Sequence, residues 1–211
     1  MKNSFIKVRR KGLRSLRHIL EKWVEVHTTY SKREDWEDSI WWCHERPNVG
    51  ALAAAVWISG GTALEEYSTL KLHKGRKRAG RCDLFFRTKG GKAYACEAKQ
   101  LWFTGGMTQK QSSEAVNDYF NAAQDDAKKL HPTEGRKLAI CFVTLDLPPK
   151  TNNLASIKKS IAKLIEVLTS TNADAMAWCF PPKARLLLWE KNHRRYPGVA
   201  VLIRKVVSSK I

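Results

Sequence analysis

Residues 138–147 form a nearly continuous apolar run that ends at Pro148-Pro149. A strand with no polar alternation has no face to give to water, so it suits the centre of a sheet covered on both sides. The flanking sequence supplies the cover. Upstream, Val116, Tyr119, Phe120, Ala123, Ala127 and Leu130 fall on one face of a helix that Ser112 or Ser113 can cap. Downstream, Leu154, Ile157, Ile161, Leu164, Ile165 and Leu168 make a second amphipathic helix, with Lys158, Lys159 and Lys163 outside. A buried strand between two such helices points to an α/β domain.

The rest of the chain extends that reading. Leu13, Leu16, Leu20, Trp23, His27 and Tyr30 recur at spacings of three and four, which predicts an amphipathic helix. Pro47-Asn48 reads as the start of a small-residue helix over 49–58, broken by Gly60-Gly61. A further helix is expected from Thr62 to about Leu72, carrying Glu65 and Glu66. The period then switches. Residues 81–87 and 93–103 are rich in Phe, Tyr, Leu and Trp and are separated by Thr88-Lys89-Gly90-Gly91, the pattern of a β-hairpin. Closing strands are expected over 175–180, 185–189 and 199–207. The expected architecture is a mixed central β-sheet flanked by helices. Residues 1–60 form an N-terminal helical extension packed on a domain of residues 61–211, the two making one compact unit.

Composition narrows the partners. Thirty-eight Lys and Arg against twenty Asp and Glu give a formal charge of +18. A surface of that sign attracts polyanions, because a bound phosphate backbone releases its condensed counterions. The five cysteines stand singly, without a C-x-x-C pair, as reduced core cysteines of a cytoplasmic protein do. The scattered cysteines and histidines argue against a structural zinc site. No early apolar run exceeds about ten residues, roughly half of a membrane span. The expected setting is the cytoplasm, with no membrane partner. Walker, dinucleotide, G-x-S-x-G and H-E-x-x-H signatures are all missing.

The chemistry concentrates in Arg81-Cys82-Asp83 and Glu97-Ala98-Lys99-Gln100. Side chains alternate along a strand, so Glu97 and Lys99 share a face. Asp83 and Glu97 each lie seven residues from Gly90, so a hairpin turning there sets them opposite each other. Facing carboxylates repel, and a divalent cation resolves the repulsion. Mg²⁺ takes hard oxygen ligands, commonly one or two carboxylates with waters and phosphate oxygens. An ammonium beside it can orient a water or hold charge on a phosphate in transfer. Before Asp83 runs a basic segment, Lys71, Lys74, Arg76, Lys77, Arg78 and Arg81, expected as a loop that can grip a phosphate backbone. The Trp41-Trp42 and Trp102-Phe103 pairs can stack on splayed bases, although core packing is the commoner role of such residues.

The segment resembles the PD-(D/E)XK, or restriction-endonuclease-like, nuclease superfamily. Asp83 corresponds to the motif's first Asp, with Cys82 in place of the usual Pro, and Glu97-Ala98-Lys99 to its E-x-K. The resemblance covers about residues 62–147. It implies an αβββαβ core, Mg²⁺ (with Mn²⁺ as a substitute) and phosphodiester hydrolysis. It further implies an acidic residue on the helix before the hairpin, for which Glu66 is favoured over Glu65 by its place on the helical wheel. Gln100 falls where some members keep an accessory polar residue toward nucleic acid. The implied activity is a DNA endonuclease of genome defence or DNA processing, with Asp83, Glu97, Lys99 and Glu66 catalytic, and a homodimer expected from family habit. The alternative is a nuclease-like module that grips nucleic acid without cutting it.

Overall fold

The structure is a computed structural model that describes residues 2–73 and 76–207. In chain order its elements are β1 (Ser4–Val8), α1 (Leu16–Arg33), α2 (Glu45–Ile58), β2 (Thr62–His73), β3 (Arg76–Arg87), β4 (Ala93–Thr104), α3 (Gln109–Lys129), β5 (Arg136–Asp146), α4 (Leu154–Ser170), β6 (Ala175–Cys179) and β7 (Val199–Lys205). The strands form one seven-stranded mixed sheet in the order β1-β6-β7-β5-β4-β3-β2. Only β4 and β5 run parallel, joined by the crossover through α3; every other neighbouring pair is antiparallel.

The apolar run ends up where its composition demands. Residues 137–145 of β5 are buried without a break. Leu138, Ile140 and Phe142 face a layer built from α1 and α2, while Ala139, Cys141 and Val143 face α3 and α4. Burying a large side chain of this kind fully is worth about 1.5–3 kcal/mol, so a strand buried on both faces anchors both layers at once. The α1 stripe of Leu16, Leu20, Trp23 and His27 faces the core as its spacing requires. α4 is capped by Asn153, whose Oδ1 accepts the Ser156 N–H at 2.8 Å.

Several elements differ from the sequence expectation. Residues 62–73 form the edge strand β2, not a helix. Ala63, Tyr67 and Leu70 fit a helical face, but Tyr67, Thr62 and Thr69 also favour extended backbone, and pairing with β3 along almost the whole length decides between them. The helix over 49–58 begins four residues earlier, at Glu45, because Pro47 sits within its first turn where no N–H is required of it. α3 starts at Gln109 under a capping box: Thr108 and Gln111 exchange side-chain-to-backbone hydrogen bonds, and Ser112 is a buried helix residue. Residues 185–189 are not a strand and hold only an isolated bridge from Trp189 to Arg194. The N-terminal segment is more than helical, since β1 closes the far edge of the sheet against β6. No helix among the described residues is long and apolar enough to cross a membrane.

Candidate active site

The β3–β4 hairpin turns through residues 88–92, where the Gly91 N–H donates to the Thr88 carbonyl at 2.8 Å and Gly91 takes φ +81°. That turn sets Leu84 opposite Cys96. One step further in the same register puts Asp83 against Glu97. The ladder stops before that step, and the Asp83 carboxylate instead accepts the Ala98 N–H at 2.7 Å. On the other side, Glu65 pairs with Leu84 and Tyr67 with Cys82, which sets Glu66 against Asp83. Pairing lapses there too, and Glu66 adopts φ +51°. Non-glycine residues rarely hold a positive φ, and such positions gather at functional sites. Three acidic residues therefore lie in one row across β2, β3 and β4, and the sheet opens along that row.

Glu97 is only 2 % exposed. Burial and the neighbouring charge of Asp83 push its carboxyl up to about 7, against the pull of Lys71. Lys71 comes from β2, and its Nζ lies 2.8 Å from Glu97 Oε1. Its stem crosses Gly80 of β3, where an added Cβ would come within 3.0 Å of Lys71 Cδ, so the absent side chain at Gly80 leaves the path open. Lys99, two residues along β4 from Glu97, pairs with Asp126 of α3 at 2.9 Å, and Asp126 also holds Lys129 at 2.8 Å. Burial would lower the Lys99 ammonium, but Asp126, Glu45 and Asp83 outweigh it and raise it.

Glu45 is the residue that sequence reasoning missed. It opens α2, and its carboxyl is raised first by burial and then by Asp83 and Glu66, with Lys99 and the Gln100 backbone opposing. Its carboxyl thus lies within charge–charge range of Asp83, Glu66 and Lys99. The signal lay in Glu45-Arg46-Pro47: a proline is tolerated in a helical first turn, so the helix can begin ahead of it.

The structure thus sets Asp83 beside the Glu97–Lys99 stretch of β4, with the Glu97 and Lys99 head groups paired to Lys71 and Asp126. Glu66 and Glu65 are on a strand and not on a helix, which corrects the helical-wheel argument that favoured Glu66. The Glu66 carboxylate lies between Arg81 (3.1 Å) and Arg46 (3.4 Å), while Glu65 turns toward Gly50 of α2. Burial and Glu66 raise the Glu65 carboxyl. The Gln100 amide is engaged inside the protein: Oε1 accepts from Asn48, and Nε2 donates to the Cys43 carbonyl and to Thr144. That leaves it tying α2 to β5 in place of facing a ligand. The basic segment is not a loop. Arg76, Lys77, Arg78 and Arg81 stand exposed on the outer half of a β2–β3 ribbon, with Arg78 paired to Lys71 and Lys77 to Leu72. Because β4 pairs with β3 only over residues 84–87, this half of the ribbon runs past the β3–β4 ladder. Lys74 lies outside the described residues.

The donor set suits a hard dication. Glu97 is buried with the Lys71 ammonium against its Oε1, and the Asp83 carboxylate is its neighbour. Among the described residues no three His, Cys, Asp or Glu side chains are close enough to hold a metal ion as a group. Two carboxylates are nevertheless the number that Mg²⁺ commonly takes from protein, leaving its remaining positions to water and phosphate. Neither a protein-family model nor a curated protein matches the chain.

Proposed function

We propose that this protein is a metal-dependent nuclease of PD-(D/E)XK type that hydrolyses phosphodiesters in DNA, acting in genome defence or DNA processing. The observation that carries the reading is Asp83 set against the Glu97–Lys99 stretch of β4, where it accepts the Ala98 N–H, beside the Glu45 end of α2. The chain order α2-β2-β3-β4-α3-β5 agrees with the αβββαβ core that the resemblance implies. Glu45 stands on the helix before the three strands, where that resemblance calls for an acidic residue.

Asp83 and Glu97 are the residues that would hold Mg²⁺ or Mn²⁺. Bound there, the cation would acidify a water and take up charge developing on the phosphate. Burial leaves Glu97 short of solvation, so neutralisation by a cation favours its charged form. The Asp83–Ala98 hydrogen bond fixes one carboxylate against the backbone of the strand that carries the other. Lys99 presents an ammonium to the same space and can orient a water or steady a non-bridging phosphate oxygen. Asp126 holds that ammonium at the protein end and keeps it charged. Arg76, Lys77 and Arg78 on the ribbon supply cations for the substrate backbone.

A second reading has its own observation. Lys71 already neutralises Glu97, and Asp126 already neutralises Lys99, as suits a nuclease-like module that binds nucleic acid without cutting it. Supercoiled plasmid, linear duplex, single-stranded DNA and RNA incubated with Mg²⁺, Mn²⁺ or EDTA separate the two. Metal-dependent cleavage is expected, falling by about 100-fold or more in Asp83→Asn, Glu97→Gln and Lys99→Ala while nucleic-acid affinity persists. Full activity in the Glu97 or Lys99 variant would sink the site assignment. Tight binding without cleavage by the wild type would favour the module.

A further inference from the structure

Beside the α2 end of this site opens a cavity of about 460 Å³, walled by Trp42, Trp102, Trp189 and Tyr196. Its rim includes Cys43 and His44, the two residues immediately before Glu45, and Asp146 at the end of β5. It therefore lies at the carboxyl ends of β4 and β5, the one parallel pair in the sheet, where open α/β sheets most often hold ligands. Trp102 stands three residues beyond Lys99, about 10 Å along β4 and on the α1–α2 face of the sheet, so the cavity adjoins the site around the Glu45 end of α2.

The walls are aromatic and ordered against one another. Trp102 and Tyr196 have ring centroids 5.0 Å apart, Trp189 and Tyr196 5.9 Å, and Trp42 and Trp189 6.1 Å. Trp42, 3 % exposed, and the buried Tyr196 form the closed back wall of the cavity, while the half-buried Trp102 and Trp189 offer planar surfaces to a planar guest. The surroundings are cationic: Lys191 Nζ lies 6.0 Å from the Trp189 ring centroid. The one carboxylate on the rim, Asp146, is already paired with Arg194 at 2.6 Å. Planar, apolar walls with positive charge outside match the heterocycle of a nucleotide whose phosphates stay in solvent.

We infer that this cavity receives an unstacked nucleobase of a single-stranded segment next to the scissile phosphate. The inference rests on the nucleic-acid reading above and sharpens it: the substrate is single-stranded or frayed where it meets the site, because a base inside a duplex cannot enter. The guest is read by stacking, so preference among the four bases is weak, and the metal plays no part in its capture.

Fluorescence anisotropy in EDTA tests it without relying on catalysis. The probes are a labelled 12-nucleotide oligothymidylate and a 12-unit abasic strand of the same charge. Wild type is expected to bind the base-bearing strand about 5- to 150-fold more tightly. Trp189→Ala and Trp102→Ala should erase that ratio while leaving abasic-strand affinity unchanged, and Trp189→Phe should keep most of it. Thermal unfolding of each variant confirms the fold, and the wild-type comparison of the two strands carries the test if the alanine variants do not fold. Equal binding of the two strands by the wild type would overturn the base pocket and leave the nuclease proposal standing. A ratio that survives both alanine changes would place base recognition elsewhere and overturn it as well. Failure to bind either strand at low salt would overturn the base pocket, and the cleavage assay above decides the nuclease proposal separately.

Discussion

At the level of single residues, buried His27 and half-buried Lys71 set conditions on the fold. His27 lies within the α1–α2 layer against Trp23 and Trp41, and neither ring nitrogen has a partner. Burial alone lowers its pKa from 6.5 to about 3. The native ring stays neutral while the unfolded ring takes a proton, so stability is full above pH 6.5 and declines as pH falls toward 3. Between pH 7 and pH 5 this group should cost about 2 kcal/mol, readable by urea denaturation at each pH, and His27→Phe should remove that part of the pH dependence. Lys71 is the second case. Its ammonium answers the buried Glu97 charge, so Lys71→Met should destabilise the protein by about 1–3 kcal/mol in EDTA. Added Mg²⁺ should then raise the melting temperature of Lys71→Met more than that of wild type, since the cation replaces the missing charge. Equal Mg²⁺ shifts in the two proteins would count against a metal at Glu97.

Among elements, the β2–β3 ribbon is one whose shape the local sequence pattern does not give. Its basic residues were legible, but their setting was not, because a short segment with apolar residues at 63, 67 and 70 satisfies a helix and an edge strand equally. Pairing with β3 resolved it. An exposed two-stranded ribbon holds its cations in a fixed row, unlike a flexible loop. Replacing Lys77 and Arg78 with Glu should weaken duplex binding across all sequences. The slope of log affinity against log salt should fall by about one for each phosphate that is no longer neutralised. An unchanged slope, measured by titration over a range of salt concentrations, would remove the ribbon from the footprint. The β3–β4 hairpin, by contrast, was legible down to its register, because a Gly-Gly turn allows few loop geometries and each fixes the strands to within a residue. Glu45 was not legible as a site residue, because its role depends on where α2 begins and on what that end abuts.

For the whole molecule, the first sixty residues matter more than a helical extension implies. β1 pairs along β6, and α1 and α2 supply one of the two apolar layers on the sheet. A fragment of residues 61–211 would expose Leu138, Ile140, Phe142, Val199 and Val201 to water and lose Glu45 as well. It should be poorly soluble and unfold without a cooperative transition in calorimetry, whereas the full chain should show one. A soluble fragment with a sharp transition would mean that residues 61–211 close a core of their own.

The amino-acid sequence by itself determined the α/β class, the buried central strand, the hairpin about Gly90 and the placing of Asp83 beside the Glu97–Lys99 stretch. These follow from periodicity, composition and short-range turn geometry, which act over a few residues at a time. Only the tertiary structure decided that residues 62–73 extend as an edge strand, that β1 closes the far edge, that Lys71 reaches across Gly80 to Glu97, and that Glu45 and an aromatic cavity flank the site. Each of those depends on which surfaces meet across long separations in the chain. Local preference there is balanced or silent, and pairing and burial settle the outcome.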